Sequence, residues 1–394
     1  MVTHSVQTGL DVFEKSWPRT LKGSRAGLLV NPASVNRRLK HAVDCLLESK
    51  KIRLKALFGP QHGIRGETQD NMVEWKGFRD EKTGLPVYSL YSRTRKPEPF
   101  MLADIDVMII DIQDVGSRYY TFIWTMDLCM QACREAGRSV AVLDRPNPIG
   151  GAITEGPVLD TAFASFVGRR PLPVRHGMTA GEIACYLKEE FHPSLDLYVI
   201  PVQGWRRKAW FDETDLPWVM PSPNMPAPDT AAVYPGMCLL EGTNLSEGRG
   251  TTRPFEIFGA PFIRPGDLVK RLRAFRLPGV VFRPLFFQPT FQKHAGRLCG
   301  GAQIHVTARE RFRPFKTGVA VIMAVLELYP GHFEWKRPPY EYETEKMPID
   351  ILAGTDRFRR DLEAGRPLNE MEERWKAECL EFRRRKRRKY LIYE

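Results

Sequence analysis

Residues 107–144 read VMIIDIQDVGSRYYTFIWTMDLCMQACREAGRSVAVLD, and this stretch decides the fold. At its two ends, residues 107–110 and 140–143 are short, wholly apolar runs, the pattern of strands buried on both faces. Between them residues 121–136, rich in Met, Leu and Ala and stopped by Gly137, read as a helix. A strand, a helix and a second strand in one run form a crossover, which joins parallel strands. Cys129 and Cys133 share a face of that helix among Trp124, Met126 and Leu128, which makes core packing the expectation for both.

Outward from this unit the strand pattern repeats at residues 26–30 (AGLLV), 54–58 (LKALF) and 87–90 (VYSL), with a helical segment at 41–49. The expected class is α/β: a Rossmann-like parallel-sheet N-terminal domain with a smaller α/β C-terminal domain. Thr179 and Glu182 form a capping box for a helix running to about Phe191. Residues 216–236 are proline-rich and predict an extended crossing segment, with the domain change near its end. Domain 1–235 then carries the main site loops. Domain 236–394 closes the cleft, with helices at 266–275 and 316–329, strands at 280–287 and 303–306, and a basic C-terminal helix.

At 394 residues the chain exceeds one ordinary core, and 43% hydrophobic with 27% charged residues is the balance of a folded enzyme. The formal charge of +12 is concentrated, because seven of the 59 basic residues are consecutive from Arg383 to Lys389. No aromatic platform or groove-reading motif accompanies that run. No nucleic-acid partner is therefore expected, and weak contact with anionic surfaces is what the run offers. The seven cysteines are scattered without a metal-ligand or disulfide spacing, which fits a reducing compartment. As written the chain has no export signal and reads as cytoplasmic; an envelope location requires a leader removed ahead of residue 1. No feature assigns an oligomeric state.

A phosphate loop, a dinucleotide GxGxxG, a GxSxG elbow and an HExxH zinc motif are all missing, so neither a cofactor nor a metal is expected. What the strand ends carry instead is carboxylates, amides and arginines: Gln61, His62, Arg65 and Glu67 in GPQHGIRGETQ, then Asp114, Arg118 and Tyr120 in DIQDVGSRYY. The second half adds Asn224 in PSPNMP and Asn244, Glu247 and Arg249 in EGTNLSEGRGTTRPFE. That mixture suits a polyhydroxylated, anionic ligand.

These blocks, with VLDRPNPIGG, SFVGRRPLPVRHGMT, TFQKH and the terminal KYLIY, are collinear from about Thr8 to Tyr393. Together they resemble the bacterial exo-acting β-N-acetylmuramidase family, also known as DUF1343. The resemblance implies hydrolysis of terminal β-linked N-acetylmuramic acid from peptidoglycan-derived fragments, without metal or nucleotide, in a cleft between the two domains. Arg65, Arg118 and Arg249 are then the candidates for the lactyl carboxylate. Gln61, Tyr120, Asn224 and Asn244 are candidates for the rest of the sugar.

In that family the first block resembles GPEHG, which implies a catalytic acid/base glutamate where this chain has Gln61. An amide cannot replace a carboxylic acid in proton transfer. Three readings stay open. Another carboxylate, Glu67, Asp114 or Glu247, supplies the acid. Alternatively the substrate's own 2-acetamido group is the nucleophile, one carboxylate steadies it, and His62 protonates the leaving oxygen. In the third, the chain is a muramyl-sugar-binding homologue with little or no turnover.

Overall fold

The protein is described by a computed structural model covering residues 5–70 and 72–394. Its first half alternates strands and helices: α1 (Gly9–Ser16), β1 (Ser24–Val30), α2 (Ala42–Glu48), β2 (Ile52–Gly59), β3 (Phe78–Arg79) and β4 (Pro86–Ser89). It continues through β5 (Val107–Asp111), α3 (Phe122–Glu135), β6 (Ser139–Leu143), β7 (Glu155–Val158), β8 (Pro173–Arg175), α4 (Ala180–Phe191) and β9 (Leu197–Ile200). Seven strands form one sheet in the order β3-β4-β2-β1-β5-β6-β9, parallel throughout except for the β3–β4 edge pair. β5 is buried along its whole length, as a central parallel strand covered on both faces must be. The chain leaves β1 toward β2 and β4 and later returns to β5, so the strand order reverses between β1 and β5. Ligands of such sheets bind beyond the carboxyl ends of the strands at that reversal.

The second half contains α5 (Pro228–Met237), β10 (Ile257–Ala260), α6 (Pro265–Ala274), β11 (Val280–Phe287), β12 (Cys299–Val306) and α7 (Pro314–Leu328). Two short helices, α8 (Pro348–Ala353) and α9 (Arg357–Glu363), and the longer α10 (Leu368–Arg385) follow. β10, β12 and β11 form an antiparallel sheet. α5 and α7 cross at Gly236 and Gly318, where a Cβ on Gly236 would lie 1.8 Å from the Pro314 carbonyl oxygen. One apolar core runs through both halves.

The structure corrects two expectations here. The proline-rich segment is not extended throughout, because α5 occupies its second half. Pro228 stands in the first turn, where no intrahelical N–H is required, and TAAVY continues the helix until Pro235 near its end. The basic run is not all C-terminal helix free to meet a surface, because α10 ends at Arg385. Arg387 is buried and donates to the Gly177 carbonyl at 2.8 Å, and Lys386 pairs with Glu190. α10 itself packs against β7 and β8 of the first half, so the C-terminal helix docks on the N-terminal domain.

Five of the described strands escaped the sequence pattern, β3, β7, β8, β9 and β10, none longer than four residues, and β10 directly follows the polar block that reads as a loop. The expected strand at 303–306 is the second half of β12, which begins earlier at CGGA, whose glycines carry no hydrophobic period. Among the described residues no helix is long and apolar enough to cross a membrane.

Candidate active site

The β2 strand ends at Gly59, and the next residues turn sharply over the carboxyl edge of the sheet. His62 has φ +69°, Gly63 φ +80° and Gly66 φ +71°, so three residues of this loop occupy the left-handed region. Gly63 also leaves room for the Glu67 carboxylate, which a Cβ there would meet at 2.6 Å. Glu67 is exposed and accepts the Arg65 backbone N–H at 3.1 Å, so its charge fastens its own loop.

This turn directs Gln61 inward. Its side-chain oxygen accepts the Thr121 hydroxyl at 2.8 Å, at the start of α3. Its side-chain nitrogen donates to the Tyr91 hydroxyl oxygen at 3.1 Å and to Glu341 Oε1 at 3.2 Å. The Tyr91 hydroxyl donates in turn to the other Glu341 oxygen at 2.7 Å. Four side chains, from the segments after β2 and β4, the residue before α3 and a late loop, therefore form one buried network.

The network is one wall of a cavity of about 40 Å³ between the two halves. Tyr120 and His62 contribute from the first half, Asn224 from the proline-rich segment, and Glu241, Arg249 and Tyr340 from the second. Arg249 donates to Glu241 at 2.9 Å and lies 3.3 Å from Glu247, which Lys293 also pairs at 2.9 Å. The Tyr340 hydroxyl donates to the second Glu241 oxygen at 2.6 Å. Arg249 NH1 is buried without a hydrogen-bond partner.

Environment separates the titratable groups of the cavity. Burial would raise Glu241, yet the Arg249 charge and the Tyr340 hydroxyl hold it below the usual carboxylate value. Burial pushes Glu341 up to about 7, with the nearby Glu241 charge adding to the rise while Tyr91 and Gln61 oppose it. Burial pushes His62 down to about 4, only partly offset by the Thr68 carbonyl. That carbonyl accepts from His62 Nδ1 at 2.7 Å, which leaves Nε2 of the neutral ring as an acceptor.

Of the residues singled out from sequence, Gln61, His62, Tyr120, Asn224 and Arg249 meet in this cavity. The others lie elsewhere. Arg65 is exposed, pairs with Asp80 at 2.7 Å and sits over the Phe78 ring. The buried Arg118 donates at 2.7 Å to the carbonyls of Pro157 and Leu172 and at 2.9 Å to that of Leu352, tying the two halves together. Asp114 accepts the Gly116 N–H at 2.6 Å and lies 3.3 Å from His176, beyond the cavity lining. Asn244 donates to the His332 carbonyl at 2.7 Å, and Glu247 stands behind Arg249.

Thr121, Glu241, Tyr340 and Glu341 line the cavity without having been singled out, and Tyr91 stands behind the lining, bonded to Gln61 and Glu341. The alternation YEYE at 340–343, after two prolines, was the available trace of the last two. Among the described residues no cluster of three or more His, Cys, Asp or Glu is arranged to hold a metal ion.

Two family models match the chain: exo-β-N-acetylmuramidase NamZ, N-terminal, over residues 26–229, and exo-β-N-acetylmuramidase NamZ, C-terminal, over residues 232–393. The peptidoglycan β-N-acetylmuramidase NamZ of Bacillus subtilis strain 168 is 48% identical over 388 residues, covering 98% of this chain and 91% of that protein. Two crystal structures of DUF1343 family proteins from Bacteroides fragilis NCTC 9343 share the fold. Their TM-scores are 0.88 and 0.77 at 34% and 31% identity, with 99% of both chains covered in each case.

Proposed function

The chain belongs to the exo-β-N-acetylmuramidase NamZ family, and from that membership we propose that it is a glycoside hydrolase releasing terminal β-linked N-acetylmuramic acid from peptidoglycan-derived fragments. The observation that carries this reading is the pairing, in one cavity, of a buried guanidinium with an unsatisfied N–H and a buried carboxyl surrounded by neutral donors. Arg249 receives the lactyl carboxylate that distinguishes this sugar from N-acetylglucosamine. Gln61, Asn224, Tyr120 and the free nitrogen of His62 face its hydroxyl and acetamido groups. Glu67, Asp114 and Glu247 act in this reading through the loop, through His176 and through Arg249, away from the sugar.

A cavity of about 40 Å³ holds a water molecule or little more and cannot hold a sugar ring. Substrate admission therefore moves the loop after β2 away from the second half. Ties across that boundary include the hydrogen bond from Gln292 to Asp70, the 3.2 Å bond from Gln61 to Glu341 and the 3.3 Å contact from the Glu341 N–H to the Met72 sulfur, which re-form as the site closes on the sugar. Such opening is common where a site must exclude water during reaction.

The test is release of 4-nitrophenol from 4-nitrophenyl β-N-acetylmuramide, with the β-N-acetylglucosaminide as comparison. Hydrolysis of the muramide with a strong preference over the glucosaminide is the expected result, and Arg249→Met narrows that preference. No release from the muramide overturns the hydrolase reading. If an inert protein still binds N-acetylmuramic acid by calorimetry, the chain is instead a sugar-binding homologue, the alternative that Gln61 invites.

A further inference from the structure

The carboxyls at this cavity are not equivalent. Glu241 faces Arg249 at 2.9 Å and the Tyr340 hydroxyl at 2.6 Å, and Glu247 is paired by Lys293 at 2.9 Å. Glu241, held below the usual carboxylate value by the buried Arg249, keeps its charge and has no proton to give, and the partners of both Glu247 oxygens are cations. Glu341 differs, because its two oxygens accept from neutral groups, Tyr91 at 2.7 Å and Gln61 at 3.2 Å. Burial pushes it up to about 7, so a large share of molecules hold its proton at neutral pH. His62 cannot take the donor role in this arrangement, since its Nδ1 proton is engaged by Thr68 at 2.7 Å and its other nitrogen accepts.

The backbone holds Glu341 in place. Glu341 and Tyr342 have φ of +45° and +67°, in a turn closed by reciprocal 2.9 Å bonds between Tyr340 and Glu343. These are the two central positions of a tight hairpin turn, whose left-handed backbone fixes where the Glu341 side chain leaves the chain. The Arg95 guanidinium, 3.2 Å from the centre of the Tyr342 ring, helps to hold the turn.

We propose that Glu341 is the catalytic general acid of this site, positioned by Tyr91 and Gln61, an assignment that rests on the muramidase reading above. Its carboxyl proton passes to the glycosidic oxygen as that oxygen leaves C1 with the bonding electron pair, and the remaining saccharide departs as an alcohol. Water supplies the oxygen that C1 gains, and the proton that water gives up restores the Glu341 carboxyl. Gln61 contributes no proton. Its oxygen is fixed by Thr121 at 2.8 Å, and this turns its N–H toward Glu341.

The experiment measures turnover of two substrates by the full chain and its Glu341→Gln variant, alongside unfolding curves. The substrates are N-acetylmuramyl-β-1,4-N-acetylglucosamine, whose leaving group needs protonation, and 4-nitrophenyl β-N-acetylmuramide, whose leaving group needs little. The expected result is a disaccharide kcat lower by about 10²- to 10⁴-fold and a smaller loss on the aryl glycoside. Disaccharide turnover kept within a few-fold, or equal losses on both substrates, overturns the assignment. A second variant, Tyr91→Phe, removes a donor to the carboxylate and moves the descending limb of the pH–kcat/KM profile to higher pH. This readout decides the matter if Glu341→Gln does not fold, and an unmoved limb overturns the assignment. Wild-type protein inert on both substrates removes the muramidase reading itself, whereas an active wild type with an insensitive variant removes only Glu341.

Discussion

Burial and hydrogen bonding pull the Glu341 proton in opposite directions, and burial wins: its carboxyl rises from the ordinary 4.5 to about 7. Between those values the folded protein holds a proton that the unfolded chain has released. The stability this supplies is complete below about pH 4.5 and is lost as pH rises through 7. Glu341→Gln removes the titration. Its unfolding free energy relative to wild type should therefore improve by about 3 kcal/mol between pH 4.5 and 8, measured by urea titration at a series of pH values. Taking the difference cancels His62, whose burial-lowered value acts in the opposite sense between about 4 and 6.5. Gln61 could be recognised from sequence as an anomaly, because an amide in a glycine-rich loop is visible as such. Its partner Glu341 is 280 residues away in the chain, and no local pattern couples the two.

Elements follow the same division. α3 was readable to within a residue at each end, because its apolar density and the glycine after it are local properties. α5 was not, because prolines at its first turn and near its end mask a helix that tertiary packing selects. That packing is tight. At the α5–α7 crossing the glycines let backbone approach backbone, and Gly236→Ala would place a methyl 1.8 Å from the Pro314 carbonyl oxygen. Thermal and urea unfolding should show a loss of about 1–3 kcal/mol or more for this substitution. Gly331→Ala, where a Cβ meets nothing within 4 Å, is the control and should be nearly neutral.

On the scale of the whole molecule, the chain end locks the halves together. The Tyr393 hydroxyl donates to the buried Asp144 carboxylate at 2.5 Å, and the Tyr393 carbonyl accepts from Arg207 at 2.8 Å. Asp144 sits just beyond β6, on the edge of the sheet that carries the site loops. Burial pushes its carboxyl up to about 6, and the Tyr393 hydroxyl opposes that rise. Tyr393→Phe leaves the carboxylate one donor short, for an expected loss of about 1–3 kcal/mol at pH 8. Because Asp144 is largely protonated at pH 5, the loss there should be smaller, which unfolding at both pH values checks. Gln61, His62, Tyr120 and Thr121 of the first half and the proline segment's Asn224 line one cavity with Arg249 and Glu241 because the two halves are docked.

The sequence by itself determined the alternation of buried strands and helices, the class of fold, and the loops in which reactive side chains concentrate. Those follow from residue periodicity and from glycine and proline chemistry, which act over a few residues. Only the tertiary structure decided which loop residues face a common cavity. It turned Arg65 toward Asp80 and Glu67 toward its own loop, and enclosed Arg118 among carbonyls. It also brought Tyr91 and Glu341 to Gln61. The physical reason is that charge pairing and burial are set by neighbours distant in the chain. A carboxylate near a cation and a carboxylate among neutral donors are the same letter in the sequence and different acids in the fold.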